Sequence, residues 1–123
     1  MQAGFTFLTE VDRHLWVILS DPSKDDQKVV IVSLTTLGPY KDQACIIRRG
    51  SHPWVTHDTC VAYDFARIVK LADLVALKNA GKIRLQDPLS SALLEHIRQS
   101  AADSTRFPMG CADILIDQGL LNC

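Results

Sequence analysis

The run KVVIVSLTT at residues 28–36 decides how this chain folds, because four of its apolar residues follow one another without alternation. An uninterrupted apolar run such as VVIV at residues 29–32 is typical of a strand that is covered on both faces. We therefore place residues 28–36 near the centre of a β-sheet. Turn-forming segments flank the run, DPSKDD at residues 21–26 and GPYKD at residues 38–42. Such short connections favour antiparallel hairpins with the neighbouring strands.

Further strands and short helices are predicted on either side of this run. β-Branched and aromatic residues indicate strands at residues 4–8, 15–19, 44–48 and 59–69. Helical spacing of apolar residues predicts a short helix at residues 71–80, after which residues 82–86 can form a brief strand. A longer helix is expected at about residues 88–102, with Asp87 as its N-cap and Pro88 in its first turn. Its apolar stripe should dock on the sheet, and His96 and Arg98 should face water.

The composition indicates a single globular domain, residues 1–123. Hydrophobic residues make up 47% and charged residues 22% of the chain, and the net charge of −1 offers no general attraction to nucleic acid. No stretch approaches the ~18 apolar residues that a membrane span requires, so we expect a cytoplasmic protein without membrane contact. The cysteines form no C-x-x-C pair, and we expect reduced thiols, buried at Cys45 and Cys60.

Four segments, in the same order along the chain, resemble the MazF/PemK toxin family. They read RHLWVILSD at residues 13–21, VIVSLTT at 30–36, VAYDFAR at 61–67, and GKIRL at 81–85 before the capped helix. The resemblance covers about residues 4–101. It implies an α+β fold, a small antiparallel SH3-like β-barrel over about residues 4–86. The helix at 88–102 closes this barrel, additional short helices accompany it, and residues 103–123 form a C-terminal extension.

The same resemblance implies a function. The chain is expected to be the toxin of a toxin–antitoxin system, a hydrolase that cleaves single-stranded RNA without a metal or another cofactor. Arg13 would stabilise the phosphorane, and Thr35 would hold the phosphate through its hydroxyl. The implied partners are RNA, an antitoxin protein and a second copy in a homodimer. The alternative is a noncatalytic SH3-like barrel that binds a peptide or nucleic acid, because the family's Gly-rich stretch before Arg13 is missing and His14 replaces a proline.

The segment RRGSHPWVTHD at residues 48–58 has no counterpart in that family. It carries side chains suited to catalysis or to RNA binding. His52 and His57 are candidate catalytic acids or bases, since an imidazole titrates near neutrality. Arg48 and Arg49 could bind phosphates, and Trp54 could stack on a base. Structural alternatives are that Trp54 only anchors the loop and that His57 makes a local turn contact. A metal site drawn from the two histidines and Asp58 matches no known spacing, so no metal is expected.

Asp64 and Arg67 lie three residues apart in the predicted strand at residues 59–69. Because side chains alternate along a regular strand, the two would point to opposite faces unless a bulge intervenes. We therefore expect each to form a structural ion pair with another partner.

Overall fold

The computed structural model describes residues 1–122 and shows an α+β fold built on one antiparallel sheet; Cys123 lies outside the described residues. The sheet has six strands: β1 Thr6–Thr9, β2 Leu15–Ile18, β3 Lys28–Thr36, β4 Ile46–Ile47, β5 Thr59–Lys70 and β6 Ile83–Gln86. Their order across the sheet is β4-β5-β3-β2-β1-β6, and the sheet curls into an open half-barrel. The expectation of an α+β protein with a barrel-like antiparallel sheet is thus confirmed.

The interior position of β3 confirms the interpretation of the KVVIVSLTT run. β3 pairs with β2 on one side and with β5 on the other. All four residues of Val29–Val32 are buried, two on each face of the sheet. Apolar contact on both faces explains why no polar residue interrupts this part of the strand.

Three α-helices are described: α1 Leu71–Asn79, α2 Ser91–Ser100 and α3 Met109–Asp117, with a 3-10 turn at Ala101–Asp103 between the last two. The predicted start of the longer helix was wrong. The N-cap is Ser90, whose Oγ accepts the Leu93 N–H at 3.1 Å. A serine oxygen that satisfies a free N–H of the first turn defines the helix start, so Asp87 and Pro88 remain outside α2.

The prediction that Arg98 faces water was also wrong, whereas His96 is exposed as expected. Arg98 is only 8% exposed, and its Nε donates a hydrogen bond to the Leu19 carbonyl at 2.8 Å. Burial lowers the pKa of its guanidinium, and the nearby carboxylates of Glu95 and Asp21 oppose this shift. The long apolar stem of arginine allows a charged residue to occupy the packed side of a helix.

The two faces of the sheet are covered unequally. The main core joins one face to α2 and α3 through residues such as Tyr63, Ile97 and Leu115. On the opposite face a smaller cluster, which includes Phe7 and Leu74 of α1, covers only one end of the strands. No helix within residues 1–122 covers the other end of that face, and the candidate site lies there.

Candidate functional site

A pocket of about 360 Å³ opens on the uncovered end of the sheet. Its floor consists of four small side chains on adjacent strands: Ser33 and Thr35 of β3, and Cys60 and Ala62 of β5. The register pairs Ser33 with Ala62 and Thr35 with Cys60, so these side chains share one face of the sheet. Large apolar residues cover the rest of this face, whereas small residues occupy this part of it. The surface is therefore recessed here and forms a pocket.

One wall of the pocket is an aromatic and cationic stack. Trp16 of β2 lies beside Ser33, and the guanidinium carbon of Arg67 sits 5.6 Å from the centre of the Trp16 ring. The Trp16 indole N–H donates to the carboxylate of Asp12 at 3.3 Å. A ring held at both its N–H and its face has a fixed orientation, and the stacked guanidinium keeps its positive charge.

The opposite wall is the loop at residues 37–45, which connects β3 to β4. Lys41 Nζ donates a hydrogen bond to the Thr35 hydroxyl at 3.0 Å, so an ammonium group lies directly above the floor. Asp42 accepts a hydrogen bond from Ser104 Oγ at 2.5 Å. Arg106 Nη1 donates to the Tyr40 carbonyl at 3.4 Å, and the Tyr40 ring is 91% exposed. The segment after α2 therefore holds the loop that carries Lys41.

His14 completes the pocket at the end of β2. It is exposed, and its backbone N–H donates to Asp12 Oδ1 at 3.0 Å. The pairing of β2 with β3 ends at Leu15 and Leu34, and the next residues of the two segments, His14 and Thr35, both line the pocket. The pocket thus contains the imidazole of His14 and the hydroxyl of Thr35, which accepts a hydrogen bond from the Lys41 ammonium. The sequence showed His14 only as a replacement for proline, and its place in the same pocket as Thr35 depends on how β2 and β3 pair.

A bulge in β5 brings Asp64 and Phe65 to the rim. Ile31 pairs with Arg67 and Ser33 with Ala62, so the residues from Tyr63 to Ala66 all lie opposite Val32. Tyr63 and Ala66 stay in the core, whereas Asp64 and Phe65 are exposed and line the pocket. Arg67 lines it as well, and neither Asp64 nor Arg67 forms an ion pair with a described residue, so the ion-pair prediction was wrong.

The structure brings Thr35 into the pocket but leaves Arg13 out of its lining. Asp12, His14 and Trp16 line the pocket, and Arg13 is the exposed residue between the first two. Thr35 itself is 8% exposed and is held by Lys41. Of the two side chains expected to act on phosphate together, only the threonine lies among the lining residues.

His52 is a buried structural residue, 5% exposed. Its Nδ1 accepts the Trp54 backbone N–H at 3.1 Å, and its Nε2 lies 2.6 Å from the Asp87 carbonyl oxygen. A backbone N–H can only donate and a carbonyl oxygen can only accept, so the ring is neutral with its proton on Nε2. Both nitrogens are occupied, and Trp54 is half-buried against the main core. These contacts tie the 48–58 loop to the chain before α2.

Arg48, Arg49 and His57 line a separate open cleft with Thr56 and Asp58. Arg48 pairs with Asp58 at 2.9 Å, and His57 Nε2 lies 2.9 Å from the Thr36 hydroxyl. Hydrogen bonds from the Arg49 N–H and the Arg48 side chain lower the pKa of Asp58. Thr36 follows the pocket residue Thr35 in β3, where consecutive side chains face opposite sides of the sheet. The predicted basic residues thus lie outside the pocket, in a cleft that shares none of its lining residues.

Three cysteines are described, and all are free thiols buried in the protein, as predicted for Cys45 and Cys60. Burial raises the pKa of Cys45, Cys60 and Cys111. A raised pKa keeps the thiol protonated at neutral pH and slows its reaction with electrophiles. Cys60 in the pocket floor is therefore a packing residue. Among residues 1–122 no three His, Cys, Asp or Glu side chains are grouped so as to hold a metal ion.

A scan against protein-family models, a search of curated proteins and a search of solved structures each found no match to this chain. None of the helices within residues 1–122 combines the length and the apolar character that crossing a membrane requires. The function of the pocket is therefore inferred from the chemistry of the residues that line it.

Proposed function

We propose that this protein binds single-stranded RNA in the pocket and cleaves it without a metal ion, as a toxin-type endoribonuclease. The observation that carries the proposal is the contact of 3.0 Å between Lys41 Nζ and the Thr35 hydroxyl, in the same pocket as His14. A hydroxyl and an ammonium over a floor of small side chains suit a phosphate group. Exposed Tyr40 and Phe65 on the rim suit unpaired bases, which stack on aromatic rings.

The chemistry of RNA cleavage assigns a role to each of these groups. His14 takes the proton of the 2′-hydroxyl, and the 2′-oxygen attacks phosphorus. Lys41 and Thr35 stabilise the negative charge that develops on the phosphoryl oxygens. The bond from phosphorus to the 5′-oxygen breaks as this oxygen receives a proton from the Lys41 ammonium. The products are a 2′,3′-cyclic phosphate and a 5′-hydroxyl.

The pocket lining carries equal numbers of formal positive and negative charges, so we propose that a phosphate is held by local contacts rather than by a net positive surface. The lining includes Lys41, Arg67 and Arg106 against three aspartates. Asp12 and Asp42 are already engaged as acceptors, by Trp16 and by Ser104. These hydrogen bonds leave the charge of each carboxylate unchanged, so contact with phosphate relies on the donor groups of Lys41, Arg67 and Arg106 themselves.

The proposal extends to fold family and partners. We regard the half-barrel as a divergent SH3-like barrel of the MazF/PemK type, supported by the four sequence segments that lie in β2, β3, β5 and β6. In that setting the protein acts in the cytoplasm as a homodimer, and an antitoxin inhibits it by covering the pocket. Acidic and apolar side chains of an antitoxin would complement the basic and aromatic rim.

Cleavage of a mixed-sequence RNA in EDTA tests this function. We expect His14→Gln and Lys41→Met each to lower the cleavage rate by about 100-fold or more, because each removes a proton-transfer or charge-stabilising group. His96→Gln on α2 and Lys78→Met on α1 are matched controls, since both side chains are exposed and lie outside the pocket. Products with 2′,3′-cyclic phosphate ends, detected by mass spectrometry, are the expected signature.

The Arg13→Ala variant tests whether the pocket residues perform the chemistry or whether Arg13 stabilises the phosphorane, as the sequence resemblance implied. If the pocket residues perform the chemistry, this variant retains activity within about threefold, whereas its inactivity would transfer the phosphate-stabilising role to Arg13. RNA that stays intact while Lys41→Met weakens its binding would show a noncatalytic binding module instead. Intact RNA without binding would overturn the proposal altogether.

A further inference from the structure

The β5 bulge exposes two consecutive side chains, Asp64 and Phe65, where a regular strand would bury one of them. Phe65 is 59% exposed although its neighbours Tyr63 and Ala66 are buried in the main core. A continuous strand would have directed one residue of each adjacent pair inward. Instead, the extra residues opposite Val32 turn both Asp64 and Phe65 to the pocket rim. Bulges beside binding sites commonly redirect side chains in this way.

Asp64 differs from the other two carboxylates of the pocket. Asp12 accepts from the Trp16 indole and the His14 N–H, and Asp42 accepts from Ser104 and from the backbone. Within residues 1–122, no hydrogen bond or ion pair engages the Asp64 carboxylate. Both of its oxygens are therefore available as acceptors for a ligand.

A carboxylate with two free oxygens distinguishes the four RNA bases. The pairing edge of guanine presents two adjacent donors, the ring N1–H and the 2-amino group, and can bond to both oxygens at once. Adenine and cytosine present one amino group beside a ring acceptor, and uracil presents one N–H between two carbonyls. A bidentate contact is both stronger and more selective than a single hydrogen bond. Among single-stranded bases, guanine therefore fits Asp64 best.

We propose that Asp64 and Phe65 form a guanine-binding subsite of the pocket, with the base stacked on the Phe65 ring and its pairing edge on the carboxylate. This inference rests on the proposed RNA-binding function and specifies which base the pocket selects. Stacking supplies affinity for any base, whereas the carboxylate supplies the selectivity. Lys41 and Arg67, elsewhere in the lining, keep N–H donors beyond their contacts with Thr35 and Trp16, and these donors hold the adjoining phosphate.

Calorimetric titration with nucleoside monophosphates tests the subsite directly. We expect guanosine monophosphate to bind about 10-fold more tightly than the adenosine, cytidine or uridine analogues, because only guanine bonds to both oxygens. Inosine monophosphate lacks the 2-amino group and should bind with intermediate affinity. Asp64→Asn should abolish the preference for guanine, and Phe65→Ala should weaken all nucleotides alike. Asp113→Asn, an exposed aspartate on α3, is the matched control.

The base preference of RNA cleavage separates this inference from the proposed function. Cleavage that is independent of guanine, together with equal affinity for the nucleotides, overturns the subsite and leaves the nuclease intact. Guanine-selective binding that Asp64→Asn abolishes supports the subsite even if the RNA is never cleaved. Guanine selectivity that persists in Asp64→Asn would place recognition elsewhere and overturn the proposal. Because both residues are exposed, the variants are expected to fold, which circular dichroism checks.

Discussion

At the scale of single residues, His52 shows how burial changes the role that a histidine can have. Its two ring nitrogens join the Trp54 N–H to the Asp87 carbonyl, so it links the 48–58 loop to the segment before α2. A ring with both nitrogens bonded inside the protein has no free position for proton transfer to a ligand. His14, in contrast, is exposed and lines the pocket together with Thr35.

We predict that His52→Ala lowers the free energy of unfolding by about 1–3 kcal/mol, because a buried donor and a buried acceptor lose their partner. Urea denaturation measures this change. His57→Ala, in the same loop but exposed, should change stability by less than about 0.5 kcal/mol. The folded His52→Ala protein should also keep its activity on RNA. An inactive variant of unchanged stability would restore His52 as a catalytic residue.

Among the candidate residues, Thr35 lines the pocket; the sequence suggested it only through the resemblance of the VIVSLTT segment at residues 30–36 to a family strand. It could not identify His14, Lys41 or Arg67. Their association depends on the strand register and on a loop fold, which arise from contacts between distant residues. The alternation of Asp12, His14 and Trp16 on the pocket side is the signal that could have favoured His14 over Arg13.

At the scale of elements, the loop at residues 37–45 depends on the segment that follows α2. Ser104 Oγ holds Asp42, and Arg106 holds the Tyr40 carbonyl. Lys41 and Asp42 of this loop line the same pocket as Cys60, which is fully buried in its floor. The position of Lys41 over Thr35 is thus fixed from outside the sheet, by residues distant in sequence.

Ser104→Ala should release the loop and expose Cys60. One hydrogen bond contributes about 1 kcal/mol net, so we expect alkylation of Cys60 by iodoacetamide to become about fivefold faster, as measured by peptide mass spectrometry. Ser104→Thr keeps the hydroxyl and should restore the slow rate. Cys111, a buried residue of α3 itself, is the internal control because its exposure does not depend on the loop. Equal Cys60 rates in all three proteins would show that Ser104 does not hold the loop closed.

The strands and helices were largely predictable, whereas the irregular features were not. Apolar runs and turn residues located β1 to β6, since each strand carries its own local pattern. The sequence predicted Asp87 as the N-cap, whereas the structure has Ser90 in that position. Aspartate and serine are both good capping residues, so only the tertiary structure selects between them. The β5 bulge leaves no such pattern, since it arises from a mismatch between two paired strands.

At the scale of the whole molecule, acid stability depends on a few carboxylates at turns. Asp25 accepts the backbone N–H groups of Gln27 and Lys28, which lower its pKa from the ordinary 3.8. Asp58 has a lowered pKa for the same reason, chiefly through the Arg49 N–H and then through Arg48. A carboxyl whose pKa is lower in the folded state binds its proton more weakly there than in the unfolded chain. Its contribution is therefore complete above the ordinary pKa and lost as the pH falls through the lower, folded value.

The double variant Asp25→Asn/Asp58→Asn should consequently be less stable than the wild type at pH 7, with a difference that shrinks as the pH falls below about 4. Urea denaturation midpoints across this range measure the effect, because protonated aspartic acid and asparagine are nearly isosteric and both are neutral. Asp113→Asn controls for the loss of a negative charge, since its carboxylate accepts no hydrogen bond from a residue within 1–122. A difference that stays constant from pH 7 to pH 2 would mean that asparagine acts through packing at the two turns, and that ionised carboxylates do not stabilise the fold.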